Sequence, residues 1–171
     1  MLPGMTESDK HHRPIRSFVR REGRITDAQR RALAELLPRY GVDPGEAPLD
    51  FVALFGQDAP VHLEIGFGNG EALAAMALAH PQNNYLGIEV HRPGVGVLLR
   101  RLDAECIANV RVACTDAKEV LEQRIPDASL NAVYVFFPDP WHKQRHHKRR
   151  LVQPEFIALL RRKLKFGGTL H

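Results

Sequence analysis

Glu64, Glu89, Asp116 and Asp139 each stand at or just beyond the end of an apolar run: "VHLEI", "NYLGIEV", "NVRVACTD" and "LNAVYVFFPDP". A carboxylate among apolar neighbours is costly unless something pairs with it, so Glu64, inside its run, is the hardest of the four to read as structural. Directly after it, "GFGNG" puts Gly66, Gly68 and Gly70 at alternate positions. Without a Cβ, such a turn lets the backbone approach a ligand closely. The spacing is G-x-G-x-G, not the G-x-G-x-x-G of dinucleotide sites, and Glu71 at the start of the next helix suits a pyrophosphate poorly. This argues against a nicotinamide-dependent oxidoreductase. S-adenosylmethionine carries no phosphate. Its cationic methionine end suits Glu64, its ribose diol suits Glu89, and its adenine amino group suits Asp116. A plain reading stands beside each: a tight strand-to-helix turn for the glycines, and a helix cap for Asp116.

The stretch "FPDPWHKQRHHKRRL" runs from Phe137 to Leu151. Pro138 and Pro140 fix the turn that carries Asp139, and Trp141 could stack on a base or pack as a rim aromatic. Lys143, Arg145, Lys148, Arg149 and Arg150 follow at once, either as a phosphate-binding run or as a solvated face. His142, His146 and His147 do not read as a metal site, because five neighbouring cations oppose a divalent ion. Arg13, Arg16, Arg20, Arg21 and Arg24 could form a second clamp.

The elements that must position these groups alternate. A helix is expected over 27–39, capped by Thr26 or Asp27. Strands are expected at "VHLEI", "NYLGIEV", "NVRVACTD" and "LNAVYVFFPDP", and helices at "EALAAMALAH", from Pro93 through "GVGVLLRRLDAE", at "AKEVLEQRI" and at "QPEFIALLRRKLKFGG". "TLH" would start a fifth strand. This alternation predicts an α/β fold, with a mostly parallel sheet and helices on both faces. Right-handed crossovers then bring the strand ends to one edge, where ligands bind. Residues 1–25 read as a basic, flexible arm, and 26–171 as one domain.

Composition agrees with this class. The chain has 171 residues, 44% of them hydrophobic, enough for one domain with a sizeable core. Net charge is +4, yet residues 57–91 contain no Lys or Arg, so the charge is segregated into basic flanks. No run of 18 apolar residues suggests a membrane span. "MLPGMTESDKHHRPIR" lacks an apolar signal core. Cys106 and Cys114 are isolated, which suits a reducing cytosol. The expectation is a cytoplasmic protein.

Taken together, "EIGFGNGE", "YLGIEV", "TDA" and "FFPDPWHKQRHHKRRL" resemble the bacterial tRNA (guanine-N7-)-methyltransferases, the TrmB family, from about Ile15 to His171. The resemblance implies a class I, Rossmann-like methyltransferase fold. It implies methyl transfer from S-adenosylmethionine to N7 of a guanosine in tRNA, at position 46 of the variable loop. It matches Glu64, Glu89, Asp116 and Asp139, with the Gly66, Gly68 and Gly70 turn, to cofactor contacts. Asp139 also matches the residue assigned to catalysis. Lys143 matches a substrate-contacting lysine, and Arg145, His146, Lys148, Arg149 and Arg150 fall in the RNA-contacting segment. The partner implied is tRNA, with no membrane and no metal, in a monomer or homodimer. The family pattern continues with an Asp after the fifth strand and a later Thr-x-x-Glu segment. Both would lie beyond His171, so the fold is expected to be C-terminally incomplete. The alternative expectation is an RNA- and cofactor-binding fragment without turnover.

Overall fold

The computed structural model describes residues 24–43, 45–136 and 151–171. Most of the expected arm, and the stretch 137–150 with Asp139 and the basic run, lie outside the described residues.

The first helix begins with a reciprocal cap. Thr26 Oγ1 accepts the Gln29 amide at 3.2 Å, and Gln29 Oε1 accepts the Thr26 amide at 2.8 Å. From this cap runs α1 (Asp27–Glu35). The single helix expected over 27–39 is two: the chain breaks at Leu36 and restarts as α2 (Leu37–Tyr40). Pro38 is the physical cause, since it has no amide hydrogen and its ring would clash with the carbonyl one turn back. A further helix, α3 (Phe51–Phe55), is too short to leave a periodic signal. Its ends are nonetheless written in the sequence, with Asp50 capping Ala53 and Gly56 closing in the left-handed region at φ 73°.

Strand and helix then alternate through β1 (Val61–Ile65), α4 (Glu71–Ala79), β2 (Asn84–Ile88), α5 (Arg92–Ala104), β3 (Val110–Ala113), α6 (Ala117–Gln123), β4 (Leu130–Tyr134), α7 (Pro154–Lys163) and β5 (Leu164–Leu170). The sheet order is β3-β2-β1-β4-β5, and every pair is parallel. The chain winds outward from β1 to β3, then crosses back to β4. The switch therefore falls between β1 and β4, where open α/β sheets leave a crevice at their C-terminal edge.

Alternation along β1 sorts its side chains onto two faces. Val61, Leu63 and Ile65 join Val120, Leu121, Phe156 and Leu160 of α6 and α7 in one core. The other core gathers Leu33 of α1, Leu73 of α4 and Val95, Leu98 and Leu102 of α5 over Tyr85, Val110 and Val112. His62 and Glu64 occupy this second face of β1.

The helix expected over "QPEFIALLRRKLKFGG" is shorter than its composition suggests. It stops at Lys163, and Leu164 is already extended at φ −72° and ψ 139°. Lys163, 4% exposed, donates from Nζ to the Ile125 carbonyl and to Asp127 Oδ1, both at 2.7 Å. The Ala128 and Ser129 amides in turn bind the Arg162 and Lys163 carbonyls. These bonds pin the end of α7 beside the start of β4, so Leu164 enters the sheet at once. The fifth strand thus begins five residues before "TLH". Its register shifts between Leu130↔Leu164 and Ala132↔Thr169, and Gly167 at φ 77° absorbs part of the irregularity.

Candidate functional site

The turn after β1 is built from left-handed backbone. Gly66, Gly68 and Gly70 have φ of 73°, 59° and 75°, a region costly for any residue with a Cβ. The Gly66 amide donates to the Ile88 carbonyl at 2.8 Å, and the Gly70 amide closes the turn on Phe67. A Cβ added at Gly66 or Gly68 would meet nothing within 4 Å. The turn thus presents bare backbone to open space, which is what close approach by a ligand requires.

Glu89, one residue beyond β2, braces that turn. Its Oε2 accepts the Gly68 amide at 2.9 Å, while Oε1 accepts the Val90 and His91 amides at 2.7 and 2.8 Å. A carboxylate held by three backbone donors is strongly oriented. Each oxygen has more than one acceptor site, so hydroxyl groups of a ligand can still be received. Asp116 caps α6: Oδ1 accepts the Lys118 and Glu119 amides at 2.8 and 3.4 Å. Its Oδ2 takes no part in the cap.

Glu64 is different. It is 3% exposed, and its Oε2 has no hydrogen-bond partner. Across the sheet it faces Gly87, which offers no side chain, and Tyr134. Burial pushes its carboxyl up to about 7. A buried acid with a free acceptor at Oε2, beside an open glycine turn, can chemically receive a positively charged or hydrogen-bond-donating group.

Further residues of the site carry no motif. His62, on the same face of β1, places Nδ1 3.2 Å from the Tyr134 hydroxyl and lies between the Tyr85 and Tyr134 rings. Burial holds its imidazole below the usual histidine range. Gly94, in the first turn of α5, reads in sequence as a weak spot of the helix. In the fold it is a contact point, because a Cβ there would lie 2.1 Å from the Gly68 carbonyl oxygen. Only the three-dimensional neighbour reveals that need. Of the four strand-end acids expected, three are described: Glu64 lies near the end of β1, and Glu89 and Asp116 follow the adjacent strands β2 and β3. Asp139, Lys143, Arg145, His146, Lys148, Arg149 and Arg150 lie outside the described residues. Among the described residues no cluster of His, Cys, Asp and Glu could hold a metal, and no helix is long and apolar enough to cross a membrane.

Comparison with known proteins extends this picture. A family model described as "Putative methyltransferase" matches residues 58–171. The chain is 58% identical over 169 residues to the tRNA (guanine-N(7)-)-methyltransferase of Klebsiella pneumoniae, covering 99% of this chain and 71% of that protein. It is 58% identical over 159 residues to the enzyme of the same name from Nitrosococcus oceani, covering 93% and 67%. Among solved structures, an antibiotic-related methyltransferase superposes with a TM-score of 0.51 at 16% identity, covering 68% of this chain and 60% of that one. The 30S ribosomal A1408 methyltransferase from an uncultured bacterium gives 0.50 at 18%, covering 70% and 58%. The solved structures establish the Rossmann-like methyltransferase fold alone. The curated similarity goes further: at 58% identity over 99% of this chain and 71% of the Klebsiella pneumoniae protein, the chain belongs to the tRNA (guanine-N(7)-)-methyltransferase family.

Proposed function

We propose that this chain transfers the methyl group of S-adenosylmethionine to N7 of a guanosine in tRNA, at position 46 of the variable loop. The observation that carries the reading is the end of β1. There the unpartnered, buried Glu64 borders a glycine turn that Glu89 holds open. This arrangement fits the donor: an acid for its cationic amino-acid end, bare backbone beneath it, and a braced carboxylate for its ribose hydroxyls. Asp116 offers Oδ2 to the adenine amino group. When bound, the donor supplies an electrophilic methyl group on a sulfonium.

The chain's residues then have to orient and shield rather than to move protons. Guanine N7 has an in-plane lone pair and no hydrogen, so no base must strip it before attack. Positioning two reactants in line can contribute on the order of 7 kcal/mol, and excluding water strengthens each polar contact. Asp139, which follows β4 in sequence, is assigned to the donor's amino group or the guanine N1/N2 edge. Lys143 is assigned to guanine O6 or a phosphate. Arg145, His146, Lys148, Arg149 and Arg150 are assigned to the RNA backbone, which fixes register without reading sequence. Such work is done in the cytoplasm, where tRNA is processed.

The test uses an unmodified tRNA transcript and labelled S-adenosylmethionine. Label should enter the wild-type transcript and fail to enter one carrying adenosine at position 46. Equal labelling of both transcripts overturns the positional assignment. Tight tRNA binding with no label in either favours a binding chain without turnover.

A further inference from the structure

We propose that in mildly acidic solution Glu64 holds a proton in the free protein and gives it up when the cationic donor arrives, so that cofactor binding there releases close to one proton. This rests on the reading of S-adenosylmethionine as the donor and adds a coupling to it.

The geometry carries the inference. Glu64 is 3% exposed and its Oε2 has no hydrogen-bond partner, so a negative charge on that oxygen is held by no donor. Among the described residues, no neighbouring element supplies a cation in their place. On β1, burial lowers the His62 imidazole from its ordinary value and so disfavours its charged form, and its Nδ1 is engaged with the Tyr134 hydroxyl. On β4, Tyr134 stands opposite Glu64, and its own ionisation is opposed by burial, by Tyr85 and by Glu64. On β2, Gly87 has no side chain, and the next charged group along is another acid, Glu89, already holding three amides. The helix α4 opens on an acid as well, Glu71. The first residue of α5, Arg92, is a cation but is exposed to solvent. With no counter-charge among the described residues, the proton itself neutralises the group, and burial raises its titration to about 7.

A sulfonium or ammonium entering beside Glu64 supplies the missing charge and favours the ionised form. The acid O–H bond breaks, the proton passes to buffer, and the carboxylate pairs with the cation. Because only the ionised form pairs well, affinity rises with pH up to about 7 and levels off above it. Binding at pH 6 should be about tenfold weaker than at pH 8 through this group.

Calorimetry of S-adenosylmethionine binding at pH 6, in buffers of different ionisation enthalpy, counts the protons released. The expected count is close to one for the wild type and close to zero for Glu64→Gln, whose amide mimics the protonated acid. Carbon-13 titration of the Glu64 carboxyl in the free wild-type protein reads the same group without ligand, with a midpoint expected near 7. Donor binding with no proton released, and a carboxyl midpoint near 4.5, overturns the coupling while leaving the donor assignment standing. A midpoint near 7 with no donor binding at any pH instead removes the donor assignment, and the coupling with it.

Discussion

Glu89 Oε2 accepts the amide hydrogen of Gly68 at 2.9 Å, joining the end of the second strand to the middle of the glycine turn. Two loops far apart in sequence are thereby made into one surface. The link gives Glu89 a dual role: it shapes the turn and presents a carboxylate beside it. Glu89→Ala should weaken S-adenosylmethionine binding by roughly 10- to 100-fold, the scale of removing one charge-assisted hydrogen bond or more. Calorimetric affinity equal to wild type would remove Glu89 from the donor site.

Gly94 makes the complementary contact from α5. A Cβ there would lie 2.1 Å from the Gly68 carbonyl oxygen, a backbone atom that has little room to move. Gly94→Ala should cost about 2 kcal/mol and lower Tm by roughly 6 °C, with donor affinity falling as the turn shifts. Gly45→Ala is the control, since nothing lies within 4 Å of its added Cβ. Equal Tm for both variants would show that the loop yields freely.

These two contacts mark where sequence reading reaches its limit. The parallel sheet, the glycine turn and the strand-end acids are local patterns, and all were legible. Asp116 could be seen as a cap because its partners, the Lys118 and Glu119 amides, follow it directly in the chain. Gly94 could not be seen as a contact, because it lies in α5 while its partner Gly68 lies in the loop before α4 and β2. The run "LRRKLKFGG" has strong helical composition through Lys165, yet buried Lys163 and its bonds to Ile125 and Asp127 end α7 and hand the chain to β5. The restart at Leu37 was signalled by Pro38, but the apolar spacing of Leu33, Leu36 and Leu37 speaks for one helix. Tertiary partners decided where α7 ends and why Gly94 is needed, both of which local propensity left open.

Glu64 should make stability depend on pH. Its folded titration point lies above the ordinary one of 4.5, at about 7. Below 4.5 the folded and unfolded states are both protonated and there is no penalty. As pH rises from there to about 7, the unfolded state loses its proton more readily, and stability falls by on the order of 3 kcal/mol. Above 7 the loss is complete. Glu64→Gln removes the effect, so the variant should be more stable than wild type at pH 8, with the difference vanishing near pH 4. Chemical denaturation at both pH values checks the sign; a Gln variant less stable at pH 8 would contradict it.

The basic run offers a test through salt. Replacing Lys148 and Arg149 by Ala should weaken tRNA binding and reduce the slope of log affinity against log salt by about 1 for each phosphate that is no longer neutralised. Donor affinity should be untouched, since these residues are assigned to RNA alone. An unchanged slope would make the run a solvated face.

The most direct measurement identifies the methylated atom. After incubation of the chain with S-adenosylmethionine and unmodified tRNA, the RNA is digested to nucleosides and analysed by mass spectrometry with chromatographic standards. Expected is 7-methylguanosine as the new product, formed at an unprotonated ring nitrogen that needs no base. A product methylated on an exocyclic amino group, or none from tRNA in the presence of bound donor, would contradict the assignment of this site to N7 transfer.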